Sequence, residues 1–420
     1  MKRRDFVKAA ACAVPATTGL CLGSDAAQTT GASKAAVCAK PLAQDYTVVD
    51  RLDDPALYTD APSLVKLPDG TLLCAYQMFG RDKDIGPNIM KLFRSGDGGH
   101  TWDQTPEVLA FQAGRLFLHG GSVYFLGSGP RKAVGDVHGD MRISRSEDGG
   151  ETWLPPSVLC ERQEFYNPAA GMVISDGRLY WSYGVTNERG QRNVQGSRMV
   201  VVAGDVTQDL LDPACWRISN YLTYPGQEAL AAMRPDGLSP RVDHWLEGNV
   251  VKVGHHLRVI NRLRVGRYLT CHIAGICAVE DDGEDLRLRF VQFAPMPGAQ
   301  NHFHIIRDEV SGLFWTPVNL PTDTQNLAFG RELRPGGAER RILALLYSLD
   351  ALNWFQAGLI AVGATRRHAF NYTTPLVDGD DLLIVSRTSR DRPGFHDNDL
   401  VTFHRVSDFR ALALKLVPEA

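Results

Sequence analysis

Ser95-Gly96-Asp97-Gly98-Gly99-His100-Thr101-Trp102 returns 51 residues further on as Ser146-Glu147-Asp148-Gly149-Gly150-Glu151-Thr152-Trp153. Both copies read S-x-D-G-G-x-T-W. A worn third copy, Ser348-Leu349-Asp350-Ala351-Leu352-Asn353-Trp354, starts 202 residues after the second, close to four further steps of the same size. Self-similarity at such a period marks a repeat architecture in which each repeat is one supersecondary unit. The residue types explain the motif. The Asp side chain accepts hydrogen bonds from backbone N–H groups of its own turn, and the glycines permit positive φ. The Trp packs back over the turn. Apolar runs precede both copies (Ile89 to Phe93; Met141 to Ile143), so each copy reads as a tight turn between two antiparallel strands. An ordinary hairpin turn does not account for two copies that share six positions.

The motif resembles the Asp-box of sialidases and other Asp-box (BNR-repeat) β-propellers. The resemblance implies an all-β fold, a β-propeller of four-stranded antiparallel blades, and it speaks to fold more than to chemistry. Away from the boxes the chain reads as short β-runs separated by turn signals, with little helical periodicity. Six blades can be counted, with five or seven as the alternatives. They start near Ala61, Arg115, Gly171, Asn249, His304 and Thr373. The run Tyr46-Thr47-Val48-Val49 is the expected strand that closes the ring.

Composition is that of a globular protein, 44% hydrophobic and 22% charged. A net charge of −3 gives no reason to expect nucleic-acid binding. Arg3-Arg4-Asp5-Phe6-Val7-Lys8 before the apolar run Ala9 to Leu22 is similar to a twin-arginine signal. It implies export by the Tat translocase to the periplasm or the medium, with no membrane attachment after cleavage. The expected division is residues 1–30 signal, 31–44 linker and 45–420 a single propeller. Six cysteines follow the signal without C-x-x-C or metal spacing, so most read as small apolar fillers. Whether Cys271 and Cys277 pair is left open. No cofactor or metal is expected; Asp281-Asp282 and Asp380-Asp381 read as solvated turns.

In a propeller the first strand of each blade lines the central channel. Polar residues at the edges of those strands therefore form the candidate site: Asp60, His119, Tyr166, Asn167, Glu247, Asn249, Asn301, His302, Asn371 and Tyr372. A hydrated channel lined by satisfied side chains is the competing reading. Arginines where the inner hairpins return form a second group: Arg81, Arg258, Arg262, Arg264, Arg387 and Arg390. They suit a carboxylate, and solvated loop charges are the alternative. Glu247, beside Trp245 at a strand entrance, is a candidate acid or base in a desolvated place.

Further resemblance to sialidases assigns roles. Arg81-Asp82 resembles the family's Arg and acidic residue, and Asn371-Tyr372-Thr373 resembles the segment with its nucleophilic Tyr. The chain has no clear F/Y-R-I-P segment, only Arg51-Leu52 near its place, and Tyr166-Asn167-Pro168 occupies the place of a mid-chain acid. The expectation is thus a hydrolase releasing a terminal acidic or acid-linked sugar, with Glu247, Tyr372, His119 and His302 as catalytic candidates. Asp60, Arg81, Tyr166, Asn167, Asn249, Arg262, Asn301 and Arg387 would bind substrate. A polysaccharide lyase or rhamnose-glucuronate cleaving enzyme using His and Tyr is the second reading. A non-catalytic propeller that binds a glycan or protein is the third.

Overall fold

The computed structural model describes residues 40–80, 89–130, 139–161, 163–185, 198–226, 242–265, 272–321, 339–365, 367–390, 392 and 398–414. The leader, residues 31–39, Arg81, Asp82 and Cys271 lie outside them. The described chain is a six-bladed β-propeller of antiparallel sheets. The first sheet is β2 (Leu57–Lys66), β3 (Leu72–Gly80), β4 (Ile89–Ser95) and β5 (Asp103–Leu109). The second is β6 (Ala113–His119), β7 (Ser122–Ser128), β8 (Met141–Ser146) and β9 (Ser157–Cys160). In the third, β10 (Phe165–Tyr166) and β11 (Val173–Ser175) share the inner edge of β12 (Arg178–Val185). Strand β13 (Arg198–Asp205) follows, with β14 (Trp216–Ile218) and β15 (Leu222–Thr223) outside it.

The fourth sheet is β16 (Val242–Val253), β17 (His256–Val265), β18 (Ile273–Asp281) and β19 (Leu286–Pro295). The fifth is β20 (Ile306–Arg307), β21 (Phe314–Asn319), β22 (Ile342–Ser348) and β23 (Trp354–Val362). The sixth is β24 (Ala369–Asp378), β25 (Asp381–Ser389) and β26 (Leu400–Val406), completed by β1 (Thr47–Arg51). The N-terminal strand thus closes the ring beside β26, as expected. The chain docks even earlier: the N–H groups of Leu42 and Ala43 donate to the carbonyls of Leu359 and Ile360 on β23.

Six hydrophobic cores lie between successive blades, one per junction, and this closes the circle. Their arrangement explains the near-continuous apolar runs. Successive side chains of a strand point to opposite faces, and here both faces are covered. On β25, Leu382 and Ile384 face the fifth blade, whereas Leu383 and Val385 face the first. On β3, Leu73 and Ala75 face the second blade and Leu72, Cys74 and Tyr76 the sixth.

The S-x-D-G-G-x-T-W turns connect third and fourth strands. Asp97 Oδ1 accepts from the N–H groups of His100 (3.0 Å) and Thr101 (2.9 Å). Asp148 repeats this with Thr152 (2.9 Å). The Thr152 hydroxyl, then the Thr152 N–H, hold the Asp148 carboxyl down to about 2, and the Ser146 hydroxyl adds to this. The second glycine has a further task. A Cβ on Gly99 (φ 96°) would meet the Phe403 ring at 2.3 Å, and one on Gly150 (φ 93°) would meet Leu73 at 2.8 Å. Each turn therefore presses its backbone against the preceding blade. Asp281 departs from expectation: it is clamped by Arg217 Nη2 (2.7 Å) and the Tyr180 hydroxyl (2.8 Å), not solvated.

Candidate active site at the channel mouth

Three inner strands lose register at one level of the channel. The slips fall between Asp60 and Ser63 on β2, Leu246 and Gly248 on β16, and Asn371 and Thr374 on β24. A bulge re-aims one side chain and commonly sits beside a functional site. Here the two bulged residues Glu247 (φ 28°) and Tyr372 (φ 48°) have left-handed backbones without being glycine. Such a conformation costs about 1–2 kcal/mol per residue, so the packing of the ring must hold it.

The bulges bring Glu247 and Tyr372 together from the fourth and sixth blades. The Tyr372 hydroxyl donates to Glu247 Oε1 at 3.0 Å. Arg262 comes from near the end of β17, where that strand returns to the same mouth. Its Nη1 donates to Glu247 Oε1 (3.0 Å), Glu247 Oε2 (2.7 Å) and the Tyr372 oxygen (3.1 Å). Its Nε donates to the Gln300 carbonyl at 3.0 Å. Glu247 is only 3% exposed and Arg262 only 7%. Burial works against the Arg262 charge, but Glu247 and Tyr372 outweigh it and hold the guanidinium above its ordinary value. Burial, then the neighbouring Glu247, pushes the Tyr372 phenol up. The phenol is therefore protonated at neutral pH and needs a base to become a nucleophile.

Two further guanidinium groups flank the Tyr372 ring. Arg387, from β25, lies 5.2 Å from its centre, and Arg340, just before β22, lies 5.3 Å away. Arg262 lies at 5.9 Å. Arg387 Nη1 pairs with Asp60 Oδ1, and its Nε donates to Asn398 at 3.2 Å. Arg340 Nη1 donates to the Asn371 side-chain oxygen at 2.9 Å. Burial pushes Arg340 down to about 10, and repulsion from Arg262 and Arg387 adds to this against the attraction of Tyr372 and Glu247. His302 stacks on Tyr372, with ring centres 4.6 Å apart and an interplanar angle of 19°. Burial, reinforced by Arg262, pushes His302 down to about 3, so its ring is neutral. Burial raises the Tyr166 phenol well above its ordinary value, and Tyr372, Asp60 and Glu247 beside it add to this.

Of the residues singled out from sequence, Asp60, Tyr166, Glu247, Arg262, His302, Tyr372 and Arg387 thus converge. Others do not. His119 sits in the hairpin at the far end of β6, where Nε2 contacts the Val206 carbonyl at 2.9 Å. Asn167 and Asn249 are fully buried pins between blades. Asn167 Nδ2 donates to the carbonyls of Ser182 (2.7 Å) and Gly248 (3.2 Å). Asn249 Oδ1 accepts from Gly171 (2.7 Å) and Ile305 (2.9 Å), and Nδ2 donates to Phe303 (3.0 Å). The polar atoms of Asn249 are thus spent on the scaffold, whereas Asn167 Oδ1 is buried without a partner among the described residues. Asn301 is also fully buried.

Arg258 lies near the start of β17, at the far end, beside the Asp350 carbonyl (3.5 Å). Arg390 is exposed, and Arg81 lies outside the described residues. Trp245 packs into the core between the third and fourth blades, against Tyr224 (5.1 Å), so the wall around Glu247 is not that indole. Arg340 was missed because Glu339-Arg340-Arg341 reads as a solvated charge run. Its signal was positional: it stands where a third strand leaves the same mouth. Among the described residues no group of three or more His, Cys, Asp or Glu is arranged to hold a metal.

No family model matches the chain, and none of the curated proteins does. Solved structures with similar folds are found. A Dyadobacter fermentans protein of unknown function aligns over 86% of this chain and 98% of its own, with a TM-score of 0.58 and 16% identity. Trypanosoma rangeli sialidase in complex with the inhibitor DANA aligns over 84% of this chain and 56% of its own, at TM-score 0.55 and 14% identity. The Fusarium graminearum α-L-arabinofuranosidase in complex with arabinobiose aligns over 87% and 98%, at TM-score 0.51 and 13% identity. At these identities the likeness establishes the propeller fold, a fold that this chain shares with glycoside hydrolases.

Proposed function

We propose that this chain is a glycoside hydrolase that removes a terminal acidic sugar, with Tyr372 as the nucleophile. The observation that carries the proposal is the Tyr372 hydroxyl, 3.0 Å from Glu247 Oε1, on a bulged strand at the channel mouth. As the phenolic oxygen bonds to the anomeric carbon, its proton passes to Glu247 and the glycosidic C–O bond breaks. Arg262 touches both groups and stabilises the phenolate character that develops. Asp60 is the second carboxylate near Tyr372. A substrate carboxylate that enters the group of Arg262, Arg340 and Arg387 displaces Asp60 from Arg387; the released Asp60 carboxylate takes up a proton from solvent and passes it to the leaving oxygen. Water, deprotonated by Asp60, next attacks the anomeric carbon, and Glu247 returns the proton to the Tyr372 oxygen. The stacked His302 ring limits rotation of the Tyr372 ring.

Three arginines around one phenol support an acidic sugar, because a guanidinium binds a carboxylate through two parallel hydrogen bonds. The fold shared with a sialidase and an arabinofuranosidase supports hydrolysis. The test is a screen of purified protein on sialosides, glucuronate-capped and rhamnose-capped oligosaccharides and ulvan-like polymers. Free sugar and the ultraviolet absorbance of an unsaturated uronate are followed together. The proposal expects free sugar without new absorbance, and its loss in Glu247→Gln and Tyr372→Phe. New absorbance would make the chain a lyase that uses His302 and Tyr372. Neither signal would leave a glycan-binding propeller. We further propose export by the twin-arginine route to the periplasm or medium. Fractionation tests this: Arg3→Lys with Arg4→Lys retains the protein in the cytoplasm if the reading holds.

A further inference from the structure

The central channel has a second compartment, at the end opposite Tyr372. It is a cavity of about 690 Å³, a size usual for a small-molecule site. Its walls include Val251, Val253, Ile305 and Phe314, and its rim carries the exposed Ile174 and Leu349. Arg115 lines it from above. This side chain leaves β6 in the second blade and crosses the channel to the third and fifth blades. Nη1 donates to the Ala170 carbonyl and lies 3.4 Å from His304 Nε2.

The hydrogen-bond chain beyond Arg115 fixes the protons. The Thr374 hydroxyl donates to the Pro62 carbonyl at 2.7 Å, so it accepts from His304 Nδ1 at 3.3 Å. His304 is therefore the Nδ1–H tautomer, and its bare Nε2 accepts from Arg115. Burial, then Arg115, keeps this ring neutral. Every acceptor that Arg115 meets is thus uncharged. Burial pushes Arg115 down to about 10, which still leaves it a cation at neutral pH.

Among the described residues no carboxylate pairs with Arg115. The acids at the rim are engaged elsewhere: Asp176 holds Lys252 (3.2 Å) and Glu309 holds Arg307 (2.6 Å). Arg115 is partly buried and faces the cavity, and a partly desolvated cation without a counter-charge is a ready partner for an anion that comes to it. We propose that this lower compartment binds a small oxyanion, a carboxylate or a phosphate, gripped by the Arg115 guanidinium, with the body of the ligand against the apolar walls.

The test is thermal unfolding of the full chain in sodium glucuronate, in inorganic phosphate, in glucose, and in sodium chloride of matched ionic strength. The expected result is a rise in Tm of about 2 °C or more with one of the anions and none with glucose. Which anion acts separates a carboxylate site from a phosphate site. Arg115→Met should abolish the rise. In chloride alone it should leave Tm unchanged or higher, because a guanidinium that merely plugs the channel would lower it. Ile174→Glu, at an exposed position on the rim, should keep the chloride Tm and weaken the anion midpoint by about threefold or more through repulsion. No rise with either anion would overturn the proposal. So would a rise that survives Arg115→Met, a fall in the chloride Tm of that variant, or an Ile174→Glu titration identical to that of the native protein.

Discussion

Glu247→Gln removes one charge of a buried pair and leaves the other in place. In the native ring Arg262 Nη1 lies 3.0 and 2.7 Å from the two carboxylate oxygens, and neither residue exceeds 7% exposure. Breaking such a pair from one side costs about 3–5 kcal/mol, because the remaining charge stays buried. The glutamine oxygen still accepts one hydrogen bond, which returns about 1 kcal/mol. The expected loss is therefore about 3 kcal/mol. Removing the second charge as well, in Glu247→Gln with Arg262→Met, deletes the stranded cation, so the double variant should be no less stable than the single. The coupling read from the cycle should be about 2–3 kcal/mol. Urea unfolding followed by tryptophan fluorescence measures all four proteins. A single-variant loss under about 1 kcal/mol, or losses that simply add, would mean that Arg262 does not depend on Glu247 for its charge.

Other consequences follow from particular residues. Gly99→Ala puts a Cβ 2.3 Å from Phe403 and forces alanine to φ 96°, so a loss of about 2–3 kcal/mol is expected in urea unfolding, against about 1 kcal/mol for Gly70→Ala, which has open space. His404 is pushed down to about 4, mainly by burial, against an ordinary value near 6.5. The unfolded chain thus binds the extra proton between those values. Stability from this ring is full above about pH 6.5 and falls by up to about 1.4 kcal/mol per unit as pH drops toward 4. Urea midpoints from pH 7 to 5 should show this slope, and His404→Gln should reduce it. Asn249→Ala strands the N–H groups of Gly171 and Ile305 and should cost about 2–4 kcal/mol. It should do so with no change in KM, because Asn249 faces blades and not substrate.

The architecture was legible because the turn motif is local and self-contained. Asp97, Gly98, Gly99 and Trp102 satisfy their own hydrogen bonds within one turn, so the residue types announce it. The site was legible only in part. Glu247, Tyr372, Arg262 and Arg387 could be placed from the rule that inner strands begin, and second strands end, at one mouth. The rule does not say which way a side chain points. Bulges at Glu247 and Tyr372 turn those residues inward, whereas Asn249, two positions after Glu247, turns into the wall as a pin between blades. No periodicity reports a bulge. His119 was misplaced because a strand's two ends look alike in sequence. Arg340 was missed because its partner, Asn371, stands 31 residues away on another blade.

Trapping the covalent intermediate identifies the nucleophile itself. The protein is incubated with an activated 2-fluoro sugar acid of the class that the screen finds to be cleaved, then digested and sequenced by mass spectrometry. One glycosyl adduct per chain is expected, on the Tyr372 oxygen, absent in Tyr372→Phe and formed far more slowly in Glu247→Gln. An adduct on a carboxylate such as Glu247 or Asp60, or turnover that persists undiminished in Tyr372→Phe, would contradict this role for Tyr372.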